Sequence, residues 1–152
     1  MENFEFYAPT RMIFGKGTQY QAGKIIKEYG FKKVLVHFGG ASAKKSGLLD
    51  TVCDALKAEG IDYVTLGGVQ ANPTLAMARK GIELCLMEHV DFILAVGGGS
   101  VIDSSKCIAD GAGNPDVDVW KFFLREAEPK KALPVGTILT LAASGSEMSA
   151  SC

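Results

Sequence analysis

With 152 residues, 47% of them apolar and 22% charged, the chain is long enough to bury a proper core and matches the size of one domain. A net charge of −1 with no basic block speaks against nucleic acid or an anionic membrane as partner. No apolar run approaches a membrane span, and Met1-Glu2-Asn3-Phe4 does not open a signal peptide, so a cytoplasmic protein is expected.

In chain order, two β-prone runs come first, Phe4-Glu5-Phe6-Tyr7 and Arg11-Met12-Ile13-Phe14. Pro9 and Gly15 punctuate them, and together they suit a hairpin or a sheet edge. Thr18 is placed to cap a helix running to about Tyr29, with Gly30 closing it. Lys33-Val34-Leu35-Val36-His37-Phe38 reads as a buried strand with Gly39-Gly40 at its carboxyl end. Ser46 can cap the next helix, which keeps Leu48, Leu49, Val52, Ala55 and Leu56 at helical spacing before Gly60. Residues 61 to 66 form another strand. Asn72-Pro73 reads as the cap and first residue of a helix to about His89, buried along Leu75, Ala78, Ile82 and Leu86.

The chain then changes character three times in fifteen residues. Phe92 to Val96 is a continuous apolar run, as expected of a strand buried on both faces. Gly97-Gly98-Gly99 turns the backbone. Ser100 opens a helix with Val101, Ile102, Ser105, Ile108 and Ala109 on one face. Strand, glycine turn and helix N-terminus together make a phosphate site, because free N–H groups and the helix dipole both favour an anion. A tight βα turn that binds nothing has the same local pattern. Beyond it lie a turn at Asn114-Pro115, a short helix capped by Asp118, a charged loop over 126 to 131, a strand over 134 to 140 and a small-residue turn from Ala142 to Glu147.

Strands alternating with helices imply an α/β fold: a Rossmann-like, doubly wound, mostly parallel sheet with an N-terminal strand pair. Ligands of such sheets bind beyond the carboxyl ends of the strands. Three small-residue loops fall there: Gly39-Gly40, Gly97 to Ser100, and the turn after Thr140. The four cysteines, Cys53, Cys85, Cys107 and Cys152, are scattered without a C-x-x-C pair and read as free thiols, the first three buried. His37 lies within a strand and His89 at a helix end, too far apart for a metal site.

These loops, in this order, resemble the iron-containing (group III) alcohol dehydrogenase family, and within it the butanol dehydrogenase type. The resemblance rests on Phe4 to Gly17, on Gly97-Gly98-Gly99-Ser100-Val101-Ile102-Asp103, and on Leu133-Pro134 leading to Ser144-Gly145-Ser146-Glu147-Met148. It implies a dehydroquinate synthase-like N-terminal domain in which residues 1–152 form the dinucleotide-binding unit. The helical domain that supplies the family's metal ligands, one Asp and three His, is absent from this chain. The implied function is the cofactor-binding half of an NADP(H)-dependent alcohol or aldehyde oxidoreductase, with iron or zinc in the parent enzyme and not in this segment. A nucleotide-binding fragment without turnover and a glycerol dehydrogenase-type polyol oxidoreductase are the alternatives.

Residue by residue, the resemblance assigns Gly98, Gly99 and Ser100 to the pyrophosphate, with Asp103 at the motif's acidic position. Thr140, Leu141 and Ser144 take the adenine and ribose side, and Asn72 a loop near the cofactor. No residue receives a catalytic or metal-binding role. Where NAD-specific members carry an Asp after the second strand, this chain has Gly39, Gly40, Ala41 and Ser42, with Lys44 and Lys45 close by. Room at Gly39 and Gly40, a hydrogen-bond donor at Ser42 and the missing carboxylate together favour NADP over NAD. The expected partners are a nicotinamide dinucleotide and a small alcohol or aldehyde. An apolar face is expected where a second domain would pack, and a homodimer would cover such a face.

Overall fold

The computed structural model is a four-stranded parallel sheet in the order β2-β1-β3-β4, where β1 is Lys33–Phe38, β2 Asp62–Leu66, β3 Phe92–Gly97 and β4 Val135–Leu139. The structure describes residues 9–149 and 152, and the backbone only at 41 and 42. The two inner strands are buried almost from end to end, β3 completely, because helices cover both faces. That is why they read as unbroken apolar runs rather than as alternating ones.

Side chains of β1 and β3 point alternately to the two faces. Val34, Val36, Phe38, Leu94 and Val96 meet α1 (Ala22–Glu28) and α3 (Leu48–Ala58) on one side. Leu35 and Ile93 meet α4 (Leu75–Met87) and α5 (Gly99–Gly113) on the other. Two short helices, α2 (Ala41–Lys45) and α6 (Trp120–Phe123), complete the set. The fold is thus the expected doubly wound α/β sheet.

Glycine sets how closely the helices approach. A Cβ on Gly81 of α4 would run into Ile108 of α5, and one on Gly111 into Ile82. At Gly23 of α1 the obstacle is the backbone carbonyl of Ala55 in α3, which no rotamer change can move aside. Gly23→Ala is therefore expected to lower stability by about 2 kcal/mol despite the better helix propensity of alanine. The corresponding fall in Tm is about 4–8 °C. Gly40→Ala, whose Cβ would meet open space, is the control. Equal melting temperatures for the two variants would refute this account of the α1–α3 contact.

Several expectations need correction. Phe4 to Tyr7, the first half of the N-terminal strand pair, lies outside the described residues. The second half, Arg11 to Phe14, is not a strand: Phe14 is 96% exposed, and Arg11 is drawn instead to Glu28 at 3.0 Å. β-propensity alone does not make a strand without a ladder partner and a face to cover. Thr18 does not cap α1. It opens a 3-10 turn over Thr18–Gln21, its hydroxyl donating to the Gly15 carbonyl. The N-terminal cap of α3 is Gly47, in the left-handed region, and Ser46 contributes only a 3.4 Å contact from the Leu48 N–H. Asn72 is not the cap of α4 either. Proline disfavours helical backbone in the residue before it, Asn72 sits at φ 61°, and Thr74 accepts from the Met77 N–H at 3.3 Å in its place. The α2 helix stands where only a loop was expected.

Candidate functional site

The site is built by connectivity. After β1 the chain leaves toward the face covered by α3, and after β3 toward the face covered by α5. Neighbouring parallel strands whose connections part in this way open a crevice at their carboxyl ends. Gly39 and Gly40 line one side of it, Gly97 to Ser100 the other.

Gly97 is buried, and a Cβ there would stand 2.5 Å from Val101 Cγ2, so the turn can pass under the helix only with glycine at this point. Gly98 is the N-terminal cap of α5. Its carbonyl accepts from the N–H groups of Val101 at 3.0 Å and Ile102 at 3.2 Å. The remaining N–H groups of the first turn have no acceptor within the helix and face past its end. Gly99 lies under the third loop, where Ser144 and Ser146 hydroxyls sit 3.1 Å apart. A Cβ on Gly99 would be 2.9 Å from the Ser144 oxygen. The Thr140 N–H donates to the Gly97 carbonyl at 3.0 Å, and Leu141, 68% exposed, stands beside Gly98. The turn after β4 is therefore fastened onto the glycine turn after β3.

On the β1 side the Gly39 carbonyl accepts from the Gly68 N–H at 3.1 Å, linking it to the loop after β2. Gly40 is exposed with open space where a Cβ would stand. The side chain of Ser42 lies outside the described residues. The Lys44 ammonium sits over the Phe38 ring, 5.3 Å from its centre.

Gly39, Gly98, Gly99, Ser100, Thr140, Leu141 and Ser144 are thus gathered at the carboxyl ends of three adjacent strands. Asn72 is further out, exposed on the loop after β2. Its neighbours Pro73 and Thr74 border a hollow of about 130 Å³ with Asp103, Ser104 and Cys107. Asp103 lies past the first turn of α5, which starts at Gly99. It therefore does not cap that turn, and faces Lys106 with Nζ 3.9 Å from Oδ1.

His37 and Ser146 are features that the sequence reading missed. His37 is fully buried, with Nδ1 2.8 Å from the Leu66 carbonyl oxygen and Nε2 2.9 Å from Ser104 Oγ. A carbonyl only accepts, so Nδ1 carries the proton and the Ser104 hydroxyl donates to Nε2. Burial holds the ring's pKa below its ordinary value and keeps the imidazole neutral. A lone histidine in an apolar strand gave no signal for this beyond its position. Cys85 and Cys107 are free and buried, and burial pushes both thiols up to about 12.

A second concavity, of about 680 Å³, is elsewhere. It runs along β4 between Tyr29, Phe31, Phe92 and Pro134, and none of the candidate residues lines it. Its walls are mainly apolar side chains beside a strand with no outer partner among the described residues.

Among the described residues no three His, Cys, Asp or Glu side chains converge as a metal site. His37 already spends both ring nitrogens on Leu66 and Ser104. These residues do not fit a resident metal ion. A dinucleotide fits better, because the crevice is walled by glycines at the points where phosphate and ribose would need close backbone approach.

Parallel sheet and flanking helices together define a Rossmann-like α/β domain. The chain belongs to the iron-containing alcohol dehydrogenase family, whose model matches residues 9–152. It is 53% identical over 148 residues to a probable NADH-dependent butanol dehydrogenase 2 of Bacillus subtilis, covering 97% of this chain and 37% of that protein. It is 42% identical over 152 residues to an NADPH-dependent aldehyde reductase of Escherichia coli, covering 99% and 38%. The crystal structure of NADH-dependent butanol dehydrogenase A from Thermotoga maritima superposes with a TM-score of 0.92 at 44% identity, covering 95% of this chain and 36% of that one. The chain therefore spans a little over a third of the length of these relatives.

Proposed function

We propose that residues 1–152 are the dinucleotide-binding domain of an alcohol or aldehyde oxidoreductase that prefers NADP(H). The observation that carries this reading is the glycine-walled crevice at the β1–β3 switch, with the first turn of α5 at its end. In this reading the backbone of Gly98, Gly99 and Ser100 holds the pyrophosphate. Thr140, Leu141 and Ser144 flank the adenosine side, and Asn72 and Asp103 border the path of the cofactor. Gly39 and Gly40 leave room for a 2′-phosphate, and the Ser42 hydroxyl is the donor that the sequence offers to it. The bound nicotinamide supplies the hydride. The part of this chain is to bind the cofactor and orient it. The metal ligands of the parent enzyme lie outside these residues, and turnover requires them.

The β1 end alone supports the cofactor preference, since the relatives named above include both NADH- and NADPH-dependent enzymes. The first carboxylate after β1 is Asp50, already in α3. No acid therefore stands directly after β1 to accept from ribose hydroxyls or to repel a phosphate.

Calorimetric titration of the chain with NADP⁺ and NAD⁺ at one salt concentration tests the reading. Saturable binding is expected, tighter for NADP⁺. No binding of either dinucleotide at millimolar concentration would refute it.

A further inference from the structure

We propose that His37 and Ser104 are positioning residues that hold the two halves of the dinucleotide crevice at a fixed separation. The inference rests on the function proposed above but concerns residues outside the cofactor's contact set. His37 is the next-to-last residue of β1, two positions before Gly39. Ser104 is in the second turn of α5, four residues after Ser100. Both are buried, at 0% and 2% exposure, and their hydrogen bond at 2.9 Å runs from the β1 strand to the helix that carries the phosphate turn.

A polar pair between a central strand and a helix is an odd choice on packing grounds. Leu35, on the same face of β1, meets the same helix layer with an apolar side chain. A buried hydrogen bond adds little net stability but imposes direction and distance, which apolar contact does not. The second ring nitrogen extends the link to the Leu66 carbonyl at the end of β2. The carboxyl ends of β1 and β2 are thus tied to α5 through one imidazole.

Val101 is the matching spacer. It is 5% exposed, and its Cγ2 lies 3.6 Å from the Cβ position of Gly39 and 2.5 Å from that of Gly97. Val101 keeps the two loops apart while His37–Ser104 keeps them from parting. A dinucleotide touches both loops at once, so its affinity depends on their spacing. A ligand that touches only one loop does not feel it.

The test compares the whole ligand with its parts. NADP⁺, NAD⁺, adenosine 2′,5′-bisphosphate and inorganic pyrophosphate are titrated into the full chain and into three variants. Ser104→Ala removes the hydroxyl in a helix-compatible way. His37→Asn keeps a donor toward Leu66 but no atom toward Ser104, whereas His37→Gln keeps an acceptor near the Nε2 position. Ser104→Ala and His37→Asn should each weaken the preferred dinucleotide about tenfold, the order expected when one buried hydrogen bond that fixes the spacing is lost. The part-ligands should change less than twofold, and His37→Gln should retain most of the dinucleotide affinity. Undiminished dinucleotide affinity in folded Ser104→Ala and His37→Asn would overturn the proposal. So would an equal loss for whole and part ligands, because that would mark simple structural damage. Failure of the unmodified chain to bind either dinucleotide would instead strike the function proposed above, whatever the variants do.

Discussion

Gly98→Val is expected to abolish dinucleotide binding in a protein that still folds. Gly98 has φ −94° and ψ −168°, extended backbone that valine adopts readily. The nearest atom to its Cβ position is Leu141 Cβ at 3.8 Å, an ordinary contact. The fold therefore accepts the side chain, but the crevice does not. Valine methyls would stand in front of the first turn of α5, where a pyrophosphate must come within hydrogen-bond distance of backbone N–H groups. Losing two charge-assisted hydrogen bonds of about 1.5–3 kcal/mol each removes hundredfold or more in affinity. Neither neighbour offers so clean a test. A Cβ at Gly97 would collide with Val101, and one at Gly99 would press on Ser144 and Ser146, so both would disturb the turn itself. Calorimetry of the variant beside its melting curve decides the matter. A folded Gly98→Val protein with unchanged affinity would show that the turn is only a connection.

Gly39→Asp is expected to reverse the cofactor preference. The Cβ position of Gly39 is 3.6 Å from Val101 Cγ2 and 3.8 Å from the Val69 carbonyl oxygen, so the side chain fits without moving backbone. Its carboxylate would accept from the ribose hydroxyls of NAD and face the 2′-phosphate of NADP. At about 4 Å and an effective dielectric between protein surface and water, each pair of unit charges repels by about 1–4 kcal/mol. A swing of about 2–3 kcal/mol corresponds to a change of about thirty- to a hundred-and-fiftyfold in the ratio of affinities. Salt would shrink the effect, so both cofactors are measured at one low ionic strength. An unmodified chain that binds NAD⁺ as tightly as NADP⁺, or a variant with an unaltered ratio, would refute the assignment of this loop.

The residues that were easiest to read are those whose behaviour is local. Phe92 to Val96 is apolar throughout because both faces of β3 are covered, and the three following glycines mark the point where backbone must turn without a side chain. Thr140 and Ser144 were legible as the end of a strand and a small-residue turn. Asn72 misled, because the Asn-Pro pair is a strong cap signal when taken alone. Thr74 held the hydroxyl that the first turn of α4 uses. Arg11 to Phe14 misled in the opposite way, having the composition of a strand but no described neighbour to pair with. Ser146, two residues after Ser144, was quoted only as part of a motif, yet it is buried beside Gly99.

From the sequence alone follow the alternation of strands and helices, the two buried inner strands, and the glycine turns at their carboxyl ends. Those features depend on periodicity and on backbone freedom within a few residues, which neighbouring letters reveal. Tertiary structure alone decided the strand order β2-β1-β3-β4, which makes Gly39 and Gly98 walls of one crevice although 59 positions separate them. It alone decided that His37 would spend both ring nitrogens on β2 and α5. The physical reason is that strand order and side-chain partnership are settled by which distant surfaces bury each other. No local pattern carries that information, because the same runs would be equally strand-like and equally apolar in another order.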